Sequence, residues 1–153
     1  MSVRRMWSLF VVASVAIAIA FMSLPASASP LLTEFAALKD LASRSVEYGR
    51  AISDSKPALV EFYADWCNIC RAMAPTMAHL HETYGDRVNF VMLDIDDPSV
   101  QTQVEEFGVR GVPHYALIGE LNRETGDHDS LTTLVGRYPD FVMENYVAQL
   151  LDS

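Results

Sequence analysis

Apolar positions recur along this chain at three different spacings. From Trp7 to Leu24 they are nearly continuous. Between residues 31 and 50 they fall at Leu31, Leu32, Phe35, Leu38, Leu41 and Val46 with charges between, the pattern of an amphipathic helix packed on a sheet. Ala58 to Ala64 and Val88 to Ile95 are short apolar runs bounded by turn residues, which reads as two buried strands. A helix from Cys67 to about Tyr84, stopped by Gly85 and kinked by Pro75, separates them. A second, short helix from Val100 to Phe107 closes at Gly108. Two apolar strands joined through a helix imply a parallel pair. Farther on, Tyr115 to Ile118 and Leu131 to Val135 flank a polar, acidic stretch and predict an antiparallel hairpin. After Gly136, a final helix capped by Asp140 carries Phe141, Val142, Tyr146, Val147, Leu150 and Leu151. The class is therefore α/β, with one domain over residues 29–153 and no repeat or linker within it.

The two cysteines of the chain occur together, in Trp66-Cys67-Asn68-Ile69-Cys70, where the first strand gives way to a helix. Free backbone N–H groups and the positive end of the helix dipole favour a thiolate at Cys67 and make it the nucleophile. Cys70, one turn on, is within reach to resolve a mixed disulfide. A purely structural bridge is the blander alternative, but closing so short a loop removes little entropy from the unfolded chain. Half of a metal site is another alternative; zinc normally takes four ligands, and a second CxxC or close His pair is missing.

The first 28 residues change the setting. Arg4 and Arg5, the apolar stretch and Ala26-Ser27-Ala28 together have the layout of an export signal cleaved after Ala28. Residues 7–24 are also long enough for an uncleaved membrane anchor with its positive end in the cytoplasm. The chain carries a net charge of −9, and loss of residues 1–28 would leave 9 basic against 20 acidic residues, a net of −11. Such a surface repels phosphate backbones and excludes nucleic acid as a partner. Two cysteines make no disulfide framework, so export together with a lone CxxC points to a monomeric protein that handles the disulfides of other proteins.

From about Leu59 to Leu151 the residues resemble the thioredoxin family. The likeness rests on Trp66-Cys67-x-x-Cys70, Pro75 five residues later, Gly111-Val112-Pro113 before a strand, and Gly136 between the last strand and last helix. More narrowly, Val60 to Cys67, Val88 to Leu93 and Val135 to Pro139 look like the thioredoxin-like proteins of cyanobacteria and thylakoid membranes, which face the periplasm or lumen. The resemblance implies a three-layer sandwich, a central mixed sheet flanked by helices, with an exposed first cysteine and a buried second one. It implies that Pro113 is cis and, with Val112, forms the platform on which an extended substrate segment lies. The residues alone allow an ordinary trans-proline at a strand start equally well.

Glu61 stands where thioredoxins usually carry a buried aspartate beneath the second cysteine. A carboxylate within an apolar run loses hydration, so its pKa rises and suits it to take the proton from Cys70; a solvent-facing Glu61 at the sheet edge is the alternative. Met92 occupies the place of a lysine that many thioredoxins set near this acid, and Asn68-Ile69 replace the common Gly-Pro between the cysteines, where they tune thiolate pKa and redox potential. Trp66 either shields the Cys67 sulfur and shapes the partner surface or is a packing aromatic. His114 is read as a substrate contact, a thiolate-tuning group or the cap of a polar edge, and His79 and His81 as surface residues. Asp94, Asp96 and Asp97 read as turn residues.

The resulting function is an exported thiol–disulfide oxidoreductase of the periplasm or thylakoid lumen. It has no cofactor or metal, receives electrons from a transmembrane thiol carrier and reduces disulfide-containing targets; the resemblance implies cytochrome maturation or assembly of photosynthetic complexes. Two other uses of the same cysteines stay open. One is a disulfide oxidase or isomerase, since potentials in such proteins span about −270 to about −120 mV. The other is a copper-binding assembly factor with His114 as a third ligand.

Overall fold

The computed structural model describes residues 29–152. The export signal or anchor at 1–28 lies outside the described residues, and no described helix is long and apolar enough to cross a membrane.

Four strands form one sheet in the order β2-β1-β3-β4, with β1 Ala58–Tyr63, β2 Asn89–Asp94, β3 His114–Ile118 and β4 Leu131–Val135. β1 pairs with β2 in parallel, while β3 runs antiparallel to both β1 and β4. The mixed sheet and the hairpin match the sequence expectation; the β1–β3 pairing adds what joins the two halves. Period-two alternation then assigns the faces. Leu59, Tyr63, Phe90, Tyr115, Leu117 and Leu134 face one core and Val60, Phe62, Val91, Leu93, Ala116 and Ile118 the other. Two long helices, α3 (Asn68–Tyr84) and α5 (Asp140–Leu151), cover the first face. The short helices α2 (Tyr48–Ser53) and α4 (Gln101–Glu106) cover the second. The result is the three-layer sandwich.

One expected helix is two. The segment read as a single helix over 31–50 breaks after α1 (Pro30–Arg44), because Ser45 and Val46 run along the free edge of β2. There Ser45 Oγ accepts the Met92 N–H (2.7 Å) and Val46 N–H donates to the Phe90 carbonyl (3.0 Å). Edge groups that would otherwise face solvent are thereby paired. Glu47 restarts the helix, its carboxylate accepting the N–H groups of Gly49 (2.8 Å) and Arg50 (2.7 Å). α1 itself packs on α3 through buried Leu38 and Leu41 rather than flat on the sheet, and leaves Leu32 exposed.

Helix α3 runs to Tyr84 with Gly85 as its C-cap and Pro75 inside it, as expected. Smaller corrections concern the last helix, the edge strand and one histidine. Asp140 is the first residue of α5 rather than its cap; Pro139 holds that position, and Asp140 Oδ1 instead accepts the Thr76 hydroxyl at 2.6 Å, tying α5 to α3. β4 is an edge strand with only Leu134 buried. His79 is exposed as expected, but His81 is half-buried with its ring on Phe90, 5.0 Å between centroids.

Candidate active site

Where β1 ends, Ala64 to Trp66 turn the chain and Cys67 becomes the N-cap of α3. A cap residue has extended backbone and turns its side chain back over the first turn. The Cys67 sulfur does this, accepting the Cys70 N–H at 3.0 Å. Cys67 and Cys70 are joined as a disulfide, their Cα atoms 5.3 Å apart. Cys70 is fully buried, as the resemblance implied, but Cys67 is only 4% exposed. The expectation of an exposed first cysteine is corrected. In the disulfide form the cap geometry folds the sulfur inward, and Cys67 joins the same core cluster as Cys70, Met73 and Tyr115.

The residues around the pair are held by interactions that spacing does not reveal. Trp66, directly before Cys67, is 62% exposed and is not a half-buried packing aromatic; its indole N–H donates to Asp96 Oδ2 at 2.8 Å. Ile69 is likewise exposed, so Trp66 and Ile69 present an apolar surface on either side of Cys67. Arg71 spans the turn, donating to the Asp65 carbonyl (2.6 Å) and to the Asn68 side chain. From α1, Lys39 forms an ion pair with Asp65 at 2.6 Å. Neither Arg71 nor Lys39 was singled out in the sequence, because each acts through a contact that only the packing of α1 and the turn creates. Asp97 caps the turn at 98–100 through the Ser99 N–H (2.8 Å), and Asp94 Oδ1 accepts the Asp96 N–H (3.1 Å), so these acids are turn residues as read.

Opposite the helix start, the Val112–Pro113 peptide is cis, as the resemblance implied. Pro113 is buried and Val112 packs against the cluster that contains both cysteines. The Pro113 carbonyl accepts the N–H of Gly136 at 2.9 Å, which locks the proline loop to the β4–α5 connection. Gly136 reaches that position with φ = +96°, a conformation that side-chain-bearing residues rarely adopt.

Glu61 is completely buried in the centre of β1. Alternation with Leu59 and Tyr63 places it on the face covered by α3, the face whose core cluster also holds both cysteines, and its burial excludes the solvent-facing alternative. Its register partners are Met92 on β2 and Tyr115 on β3. With no cation beside it, burial pushes its pKa up to about 8. Neither carboxylate oxygen has a hydrogen-bond partner among the described residues, and the same is true of the Tyr115 hydroxyl. Tyr115, too, escapes a reading of the sequence, because only the β1–β3 register sets it against Glu61. His114, one residue earlier, is out of phase. Its ring is buried edge-on against Phe62, 5.7 Å between centroids, on the opposite face from the cysteines. It neither caps a polar edge nor approaches the sulfurs, and no group of three metal-ligating side chains exists among the described residues.

Comparison with known proteins agrees with this geometry. The Thioredoxin family model matches residues 40–135. The chain is 44% identical over 112 residues to the rice "Thioredoxin-like protein HCF164, chloroplastic", which covers 72% of this chain and 40% of that protein. It is 35% identical over 119 residues to the Synechocystis "Thiol:disulfide interchange protein TxlA homolog", covering 78% of this chain and 63% of that one. The chain thus spans less than two thirds of the length of these relatives. Among solved structures, the Drosophila melanogaster thioredoxin Deadhead superposes with a TM-score of 0.55 at 26% identity, over 67% of this chain and 90% of that one. Chloroplastic thioredoxin z gives 0.58 at 20% identity, over 71% and 94%, a likeness of fold. With the matched model spanning the sheet, the cysteine pair and the proline loop, the chain belongs to the thioredoxin family.

Proposed function

We propose that this protein is an exported thiol–disulfide oxidoreductase that reduces disulfides in target proteins. The observation that carries the reading is the arrangement at the start of α3: Cys67 at the helix cap, Cys70 bonded to it one turn on, and a buried, unpaired Glu61 on the face beneath. In the reduced protein, the Cys67 thiolate attacks one sulfur of a target disulfide, which breaks as a Cys67–target disulfide forms and the second target sulfur leaves as a thiolate. Cys70 then gives its proton to Glu61 and attacks Cys67 Sγ. The target sulfur departs, two electrons have passed to the target, and the Cys67–Cys70 disulfide remains. A membrane thiol carrier on the donor side restores the dithiol by the same exchange. Val112 and Pro113 form the platform for the target segment, flanked by Trp66 and Ile69; Asn68 and Ile69 set the potential.

A reducing role is favoured because stabilisation of the Cys67 thiolate comes from the helix start alone, with no cationic side chain hydrogen-bonded to the sulfur among the described residues. The donor to Cys67 Sγ is a single backbone N–H, Arg71 is engaged by Asp65 and Asn68, and the buried carboxyl on the same face of the sheet is an acid rather than a cation. Strong oxidants owe their potential to a stabilised reduced form. Export to the periplasm or thylakoid lumen is supported by the layout of residues 1–28 and by a curated relative named chloroplastic. Cytochrome maturation or photosynthetic assembly follows as the target class. Measuring the Cys67/Cys70 potential tests the direction: a value near about −270 mV is expected, and one near about −120 mV would turn the protein into an oxidase. Cys70→Ser should trap targets on Cys67 in an exported extract; a variant that captures none would remove the mixed-disulfide mechanism.

A further inference from the structure

The strongest feature not used by the reaction above is the phenol of Tyr115. Among the described residues it is the largest fully buried side chain, and it sits in the cluster that holds both cysteines. Its register partner across the sheet is Glu61, so both side chains rise from the same face as direct cross-strand neighbours, whose Cβ atoms lie about 5 Å apart in such pairs. The two carboxylate oxygens of Glu61 and the hydroxyl of Tyr115 are thus all buried on the same face of the sheet, and none has a partner among the described residues in the disulfide form. Buried polar groups left unpaired are rare in folded proteins, and a redox or catalytic role is one of the reasons such a group is kept. Burial and the neighbouring Glu61 charge hold the phenol firmly protonated, so it can act only as a donor toward a carboxylate.

We propose that Tyr115 is the positioning residue for Glu61, its phenol donating a hydrogen bond to the Glu61 carboxylate in the reduced protein. The pair is empty of function while Glu61 holds a proton in the disulfide form. When the acid ionises ahead of resolution, the phenol supplies the charged carboxylate with the donor that no lysine provides here, Met92 being the neighbour on the other strand. The phenol keeps its own proton throughout; the proton that moves is that of Cys70, to Glu61. A hydrogen bond made to the charged form lowers an acid's pKa, so Tyr115 brings the Glu61 titration back toward neutral pH, where a general base works best. This inference rests on Glu61 as the acceptor of the Cys70 proton.

The experiment compares wild type, Tyr115→Phe, Glu61→Gln and the double variant. Loss of an unpaired buried hydroxyl leaves shape and apolar packing intact, so Tyr115→Phe folds. In the reduced protein, the Glu61 carboxyl followed by carbon-13 NMR should titrate about one pH unit higher in Tyr115→Phe, a roughly tenfold change in proton affinity. Release of thionitrobenzoate from its mixed disulfide with Cys67 should show the same displacement of its pH profile, and Tyr115→Phe should have no effect in the Glu61→Gln background. An unchanged Glu61 midpoint, or a Tyr115→Phe effect that persists without Glu61, overturns the proposal. Glu61→Gln releasing thionitrobenzoate at the wild-type rate would remove the base role of Glu61 alone, because the carboxyl titration still reads whether the phenol bonds it.

Discussion

Single residues set this site through backbone conformation and burial rather than through charge. Gly136 is the clearest case. Its positive φ brings its N–H onto the Pro113 carbonyl, so one glycine fixes the spacing between the proline loop and the last helix. Apart from its chain neighbours, no described residue places a heavy atom within 4 Å of where a Cβ would stand, and the penalty for a side chain is therefore conformational, not steric. Gly136→Ala should lower stability by about 1–3 kcal/mol in urea unfolding and weaken target reduction more than reaction with a small disulfide, because the platform moves and the sulfurs do not. Equal losses on both substrates would deny the glycine that role. Glu61 and His114 show the same principle on the ionisable side. Burial raises the pKa of the acid and lowers that of the base, although the two point into different cores.

At the scale of elements, the distinctive piece is α1, most of which precedes the residues matched by the family model. It is held in two ways whose strengths differ. Leu38 is fully buried between α1 and the core, whereas the Lys39–Asp65 pair has both side chains 44% exposed. Leu38→Ala should cost about 2–5 kcal/mol through lost burial and the cavity left behind. Lys39→Ala should cost less than about 1 kcal/mol, since an exposed ion pair is screened. Chemical denaturation of the two variants checks the ranking; a larger loss for Lys39 would mean that α1 is docked by charge. The split between α1 and α2 belongs here too. Helical spacing of apolar residues over 31–50 was legible, but the break depends on Ser45 and Val46 finding the edge of β2, a partner more than forty residues away.

For the molecule as a whole, Glu61 makes stability depend on pH in a direction opposite to ordinary carboxylates. Its pKa is 4.5 when unperturbed and about 8 in the fold. Between these values the folded protein keeps a proton that the unfolded chain has lost. The stabilisation is complete below 4.5 and is lost as pH rises to about 8, with a ceiling of about 5 kcal/mol across the window. His114, lowered by burial, works in the other sense and removes stability as pH falls below its ordinary value of 6.5. Urea unfolding of the oxidised protein between pH 5 and pH 8 should therefore show Glu61→Gln gaining on wild type as pH rises. Parallel stability curves for the two proteins would mean that Glu61 is ionised in the fold.

The sequence by itself determined the order of the strands and of the helices after residue 57, the parallel pair, the hairpin, the cysteine pair at a helix start and the acid in the first strand. Each of these is written in local spacing, where side-chain period and turn residues act within a few positions. Tertiary structure alone decided which way the acid faces, because a strand's period fixes two alternating faces without naming the one beneath the cysteines. It decided that Cys67 is folded inward as a cap, that Trp66 is held by Asp96 and left exposed, and that His114 and Tyr115, adjacent in sequence, belong to opposite cores. These are outcomes of long-range pairing: the β1–β3 register sets Tyr115 against Glu61, and no local property of either residue carries that information.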